Sequence, residues 1–298
     1  MEPELRVSEP RAAVPLTWLY VPGDRPERIE KALASAADVV ILDLEDAVSP
    51  GAKDAARRTV SEFARAADRP LQIRVNAVDT PWHAADLAML GTLPAAVGLR
   101  LPKCEDPATV AECVAAAGVV GVAAAGVAAD GAAGRELHLL VESALGIERA
   151  FDLATCSPAV ASIGLGEADL RADLAVVGDA GLGYARGRVV NAAAAAGLPS
   201  PSMSVYPNLR DLTGLAESCR QGRELGFLGR TAIHPAQLPV IRLAFTPTDD
   251  EVSAAREVVA AAEQGEQLGR GALALPDGRF VDAAVVRRAR AILSIARP

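Results

Sequence analysis

The sequence predicts an α/β fold, a (β/α)8 TIM barrel over residues 17–246 followed by a C-terminal helical extension over 247–298. Three observations carry this. Eight apolar runs recur along the chain with helix-like stretches between them. Most of these runs are continuous rather than alternating, the pattern of parallel strands buried on both faces. Two of them, ELHLLVES and VASIGLGEAD, close on a carboxylate, Glu142 and Asp169, and the C-terminal ends of barrel strands are where such enzymes gather reactive groups.

In chain order, TWLYVP precedes the helical stretch RPERIEKALASAA, and DVVILDLED precedes GAKDAARRTVSEFARAA. LQIRVN is followed by a helix around WHAADLAML, and AVGLRLPK, ELHLLVES, VASIGLGEAD, PSMSVYP and RTAIHP supply the remaining strands. An open doubly wound sheet is the competing architecture, but no GxGxxG turn follows the first strand, and GDRPER is a poor substitute. A hydrophobic content of 51% with only 3% aromatics requires a core of Ala, Val, Leu and Ile, which suits a barrel interior. Beyond the eighth strand the chain reads as helix, glycine-bearing loop, short hairpin around PDGR and a last helix with an apolar stripe, Asp282 at its N-cap.

The charged, proline-bearing residues 1–16 read as a loose arm and not as a secretion signal. The uncharged Ala/Gly-rich stretch within 113–134 is too short and too weakly apolar for a membrane span, so no membrane role is expected. With 38 acidic against 30 basic residues and no basic stripe, nucleic acid is excluded as a partner. Cys104, Cys113, Cys156 and Cys219 have no metal-ligand or disulfide spacing and read as thiols in a reducing cytoplasm.

Glu142 and Asp169 on neighbouring strands can share one Mg2+, or Mn2+, since hard ions prefer carboxylate and water oxygens. Either acid alone reads equally well as a helix cap or a solvated strand end; their joint placement argues for the ion. Arg74, ending the third strand, would bring a two-pronged guanidinium to the same mouth and so favours a small carboxylic acid, unless it pairs with the DLED acids. Alternation directs Asp43 and Glu45 to one face and Asp46 to the other, making Glu45 the pocket acid. Lys103 raises Schiff-base chemistry, but a carboxylate-rich mouth would raise its pKa rather than depress it. His234, locked before a proline, reads as a loop-orienting residue.

Taken together, LYVPGDRPERIEKAL, DVVILDLEDAV, IRVN, LPK, LVESALG, GLGEADLRADL, YARGRVV, GFLGRTAIHPAQ, AFTPTDDEV and DGRFVDAAVVRRA give a chain that, from about Leu19 to Leu293, resembles the citrate lyase β-subunit-like family of the HpcH/HpaI aldolase/citrate lyase superfamily. The resemblance implies a homotrimeric, Mg2+-dependent lyase that breaks carbon–carbon bonds in malyl-, citramalyl- or citryl-CoA thioesters. A CoA-independent metal-dependent pyruvate aldolase, or a non-catalytic subunit working with an acyl carrier protein, is the alternative. It implies Glu142 and Asp169 as metal ligands, Arg74 as the grip on the keto-acid end, and Glu45 as a pocket acid. It implies backbone amides at Gly164, Gly166 and Glu167 facing the substrate, and Arg25, Arg28 and Lys53 meeting the coenzyme A phosphates. Asp282 becomes the acid that the C-terminal segment inserts into a neighbouring subunit's active site. Met203, Asn208, Arg230 and Phe280 depart from the family pattern, which leaves the acyl group open.

Overall fold

The computed structural model describes residues 14–117, 134–267, 273–275 and 278–296. It comprises two compact units, one of Leu16–Phe245 and the other of Met1–Pro15 with Thr246–Pro298. In the first, seven strands form one all-parallel sheet: β1 Thr17–Pro22, β2 Val39–Asp43, β3 Leu71–Arg74, β4 Val97–Leu101, β5 Leu137–Val141, β6 Val160–Leu165 and β7 Arg230–Ala232, in the order β6-β5-β4-β3-β2-β1-β7. Every residue of β2, β4 and β5 is buried, which is why those runs are mostly apolar. Helices return the chain between strands. Pro26–Leu33 and Pro107–Ala116 begin on a proline, whose missing N–H is no loss at a helix start, and Asp106 caps the second through the Thr109 amide.

Eight strands are expected from the sequence; the ladder has seven. PSMSVYP joins it only through an isolated parallel bridge, Met203 with Arg230. Prolines at 201 and 207 bracket that run, and a proline has no N–H to give a ladder, so the pairing is short: Pro201 O accepts from Leu228 N at 2.9 Å, and the Met203 N–H and C=O bond Gly229 O and Thr231 N at 3.0 Å each. Next to it the Ser204 hydroxyl donates to Leu165 O at the end of β6 and accepts from the Glu167 amide at 3.1 Å, so a side chain, not a ladder, links this segment to β6. The sheet is therefore curled and open.

In the second unit the helix Asp249–Gln267, an antiparallel hairpin of β8 Leu273–Ala274 and β9 Phe280–Val281, and the helix Ala283–Ile295 follow the sequence reading. They bury Ala255, Val258, Leu275, Val281 and Ala289 against one another. Of the arm expected over 1–16, residues 1–13 lie outside the described residues, as do 118–133 of the Ala/Gly-rich stretch. Leu16 itself is buried and pinned, its amide donating to Asp38. No described helix is long and apolar enough to cross a membrane.

Asp38 ties the start of β1 to a distant helix. Its Oδ2 accepts from the Leu16 and Thr17 amides at 2.9 Å each and from the Thr17 hydroxyl at 2.8 Å, and its Oδ1 from Arg242 at 2.7 Å. Partial burial works against the charge, but Arg242 and these donors outweigh it and lower the carboxyl's pKa. A depressed carboxyl stabilises the fold above its unfolded value of about 3.9 and loses that contribution as pH falls through the folded value. Asp38→Asn is expected to lower the unfolding free energy by about 1–2 kcal/mol at neutral pH and progressively less below pH ~4, measured by urea unfolding. A pH-independent difference would contradict this.

Candidate active site

The C-terminal ends of β1 to β6 surround a cavity of about 420 Å³ lined in part by Tyr20, Arg74, Arg100, Glu142 and Asp169. Glu142 is the residue after β5, and Asp169 lies in the first turn of the helix Glu167–Asp173 that follows β6. The two acids predicted to share an ion therefore face one space. Glu142 Oε2 is buried and has no hydrogen-bond partner. Burial, then the negative charges of Glu45 and Asp169, push this carboxyl up to about 8, although Arg74 and Lys103 oppose the shift.

Glycine at 166 is required by this arrangement, because a β-carbon there would stand 2.6 Å from Glu142 Cδ and collide with Oε1. Gly164 and Gly166 line the cavity, as does Glu167. The amides expected to face the substrate are nevertheless engaged: Gly166 N–H donates to Val141 O at 2.9 Å and Glu167 N–H to Ser204. These residues sit in the β5–β6 ladder and at a helix start, where backbone donors pair with neighbours, so contrary to expectation they shape the wall instead of binding through it. Glu167 itself is clamped by Arg186, with Nε and Nη2 donating at 2.7 and 2.8 Å.

Arg74 carries the DLED turn. Its Nε and Nη2 donate to Asp43 at 2.8 and 2.6 Å, while Nη1 lies 2.7 Å from Glu45 Oε2 and 3.2 Å from Asp46 Oδ2. Tyr20 lies beneath the guanidinium, 4.8 Å from it. All three acids reach Arg74, contrary to the expected split of Asp46 from the other two, because β2 ends at Asp43 and the chain turns there, its Oδ1 accepting from the Glu45 amide at 2.9 Å. The pairing left open in the sequence is thus realised, and no guanidinium nitrogen of Arg74 is left without a carboxylate.

Glu45 is buried, and burial raises its pKa; it meets Arg74 and, at 3.1 Å, Lys103 Nζ as ion pairs rather than aligned hydrogen bonds. Lys103, in a left-handed conformation with φ 52°, also reaches Asp169 Oδ2 at 3.7 Å. Burial alone would lower its pKa, but Glu45, Asp46 and Asp169 outweigh that and raise it, which removes the Schiff-base reading.

Arg28 lines the cavity and Arg25 is exposed near its rim helix, beside Asp24 at 3.6 Å. Lys53 is different: it is buried, and its ammonium donates to Leu44 O and Glu45 O at 2.7 Å each, so it braces the DLED turn and is not available to a phosphate. Its aliphatic stem gave the sequence no hint of this. His234 lies outside the cavity lining and accepts from the Ala236 amide at 3.1 Å, the loop-orienting role expected. Asp282 caps its helix, Oδ1 accepting from Ala284 and Val285 amides at 2.9 Å. The four cysteines are free, and three are buried.

Arg100 is a residue the sequence reading passed over. It lies inside the run AVGLRLPK, where a lone guanidinium among apolar residues was the available signal, and it lines the cavity from β4.

A divalent cation fits this site. Glu142, whose Oε2 has no donor, faces the same cavity as Asp169, while Asp43, Glu45 and Asp46 are already met by Arg74 and Lys103. Among the described residues no group of three or more His, Cys, Asp or Glu could hold a metal; Glu142 and Asp169 would supply two carboxylate ligands, with water and substrate oxygens completing an Mg2+ shell.

The family described as HpcH/HpaI aldolase/citrate lyase matches residues 16–235. The chain belongs to this family. It is 32% identical over 291 residues to the citrate lyase subunit beta of Leuconostoc mesenteroides subsp. cremoris, covering 94% of this chain and 92% of that one. It is 33% identical to the L-malyl-CoA/beta-methylmalyl-CoA lyase of Cereibacter sphaeroides, covering 92% of each. Its structure resembles that of CitE from Mycobacterium tuberculosis in complex with magnesium, acetoacetate and coenzyme A, with a TM-score of 0.76 and 34% identity, over 96% of this chain and 99% of that one.

Because the folded-state pKa of Glu142 is raised, the native protein binds an extra proton between its ordinary value of 4.5 and about 8, and the stability of the metal-free protein falls as pH rises across that interval. Glu142→Gln removes the charge that must be buried. We expect it to stabilise the metal-free protein by roughly 1–3 kcal/mol near pH 9 and to change it little near pH 4.5, read by denaturant unfolding. A variant less stable than the parent at the higher pH would contradict the assignment.

Proposed function

We propose that this protein is a Mg2+-dependent carbon–carbon lyase acting on a short hydroxyacyl-CoA thioester, with the curled sheet completing a (β/α)8 barrel through the Met203–Ser204 segment. The observation that carries the reading is the buried, partnerless Glu142 oxygen facing the same cavity as Asp169. The relatives named lyases and the magnesium and coenzyme A of the CitE complex support it.

Bound between Glu142 and Asp169, a divalent ion would lower the pKa of a substrate hydroxyl beside a carboxylate and polarise the adjoining oxygen. Arg74, held by Asp43, supplies a fixed positive charge at the cavity wall, where the electron pair of the breaking bond passes into the thioester as an enolate. Its fork is already engaged, so its contribution is charge and position rather than a free two-pronged grip. Glu45 and Lys103 hold that wall in place. Arg28 and Arg25 at the rim meet the coenzyme A phosphates.

The residues 247–298 place Asp282 in the active site of a neighbouring copy of a homotrimer, where partial desolvation would make its carboxylate a base strong enough to take a proton from an acetyl thioester. In cleavage the hydroxyl proton would leave to solvent as the carbonyl forms and protonated Asp282 would return its proton to the enolate carbon, so cleavage and condensation are one reaction run in two directions.

Assay of malyl-, citramalyl- and citryl-CoA should show cleavage that EDTA abolishes and Mg2+ or Mn2+ restores. Glu142→Ala should reduce kcat by at least about 10³-fold, as expected of losing a metal ligand's electrostatic contribution. Asp282→Asn should reduce it by about 10²–10⁴-fold with KM little changed, as expected of a lost acid–base group. Full turnover in Glu142→Ala, or activity unaffected by chelation, would refute the proposal. A homogeneous homotrimer inactive on all three thioesters but active on an acyl-carrier substrate would transfer it to a carrier-dependent subunit.

A further inference from the structure

Arg100 sits on the wall of the cavity with its charge unmatched. It is 5% exposed, Nε donates to Gln72 Oε1 at 2.9 Å, and its guanidinium lies 5.9 Å from the Tyr20 ring. Among the described residues no carboxylate is within ion-pair distance of it. The β3–β4 register makes it the direct partner of Arg74, and the contrast between the two is sharp: Arg74 meets three carboxylates, Arg100 none. Arg135, also buried, gives its terminal nitrogens to backbone carbonyls, and Arg186 is clamped on Glu167.

A buried guanidinium without an anion is costly, and the cost is greater beside a second guanidinium of the same sign. Arginine offers five donors in a fixed fork that matches a carboxylate, and Arg100 uses one of them inside the protein. Arg74 has no fork to offer a ligand, so the anion-accepting group on this wall is Arg100. Its depth indicates which anion. Arg100 pairs with His138 across β4 and β5, four residues before Glu142, which follows β5, a separation of roughly 13 Å before the arginine's length is subtracted. A ligand whose first carboxylate lies at Glu142 and Asp169 would therefore turn its inner end toward Arg100. His138 faces it from β5, buried and hydrogen-bonded to Ser162 at 2.9 Å, and adds no negative charge.

We infer that Arg100 is a specificity-determining residue that binds a second carboxylate, so that the acid this enzyme releases or takes up is a 2-oxo dicarboxylate and not a monocarboxylate. The inference rests on the lyase reading above for the position of the first carboxylate.

Titration calorimetry of the Mg2+-loaded protein with oxaloacetate and with pyruvate tests it. The parent protein should prefer oxaloacetate by on the order of 10- to 100-fold, the worth of one charge-assisted carboxylate contact. Arg100→Gln should abolish that preference while leaving pyruvate affinity within about twofold, and Arg100→Lys should retain part of it. Pyruvate binding reports that a variant is folded; if Arg100→Gln does not fold, the parent's preference and the lysine variant decide. No preference in the parent, a preference that survives in Arg100→Gln, or an equal loss for both acids would overturn the inference while leaving the lyase reading intact. Failure of the parent to bind either acid with Mg2+ would overturn both.

Discussion

The structure of the site follows from one electrostatic constraint: five carboxylates are gathered at the ends of β2, β5 and β6, in and around a space that burial makes hostile to charge. Two of them, Asp43 and Glu45, are buried with their countercharges built in, since Arg74 and Lys103 reach across from β3 and from the end of β4. The other end of the cluster is unbalanced. Glu142 is pushed to about 8 because it is buried with Glu45 and Asp169 at hand and no donor of its own. A proton can relieve that imbalance, and so can a divalent cation; only the cation leaves Glu142 as an oxygen ligand.

Much of the surrounding structure reads as the means of sustaining this crowding. Asp43 closes the DLED turn with an amide bond while orienting Arg74, so one side chain sets both the turn and the cation. Lys53 holds the same turn from below through two carbonyls. Gly166 removes the one methyl that would displace Glu142. Lys103 accepts a left-handed backbone, a conformation that a lysine rarely adopts, where its ammonium spans Glu45 and Asp169. The parallel sheet makes this possible because its register brings Pro22, Asp43, Arg74 and Arg100 into one row.

The strands, their order along the chain and the meeting of Glu142 with Asp169 were legible in the sequence because they follow from local pattern: continuous apolar runs and the residue type that ends each one. PSMSVYP misled for a definable reason, since its apolar content reads as a strand while its prolines limit what it can pair. The fate of the DLED acids was not legible, because alternation holds only while the strand lasts and β2 stops at Asp43. Lys53 and Arg100 mark the boundary most clearly. A lysine on a helix and an arginine in a strand carry no sequence mark of whether carbonyls, carboxylates or open space await the charge; only the packing of distant segments supplies that. The capping of its helix by Asp282, in contrast, is a local matter and was readable.

The central claim is that Glu142 and Asp169 hold one divalent cation between them, and its most direct test is anomalous diffraction from a crystal soaked in Mn2+. The account requires a single strong peak in the cavity with a Glu142 oxygen and an Asp169 oxygen both about 2.1–2.2 Å away, lost in Glu142→Gln. A peak held by other residues, or no peak at saturating Mn2+ while both acids remain ordered, would contradict it.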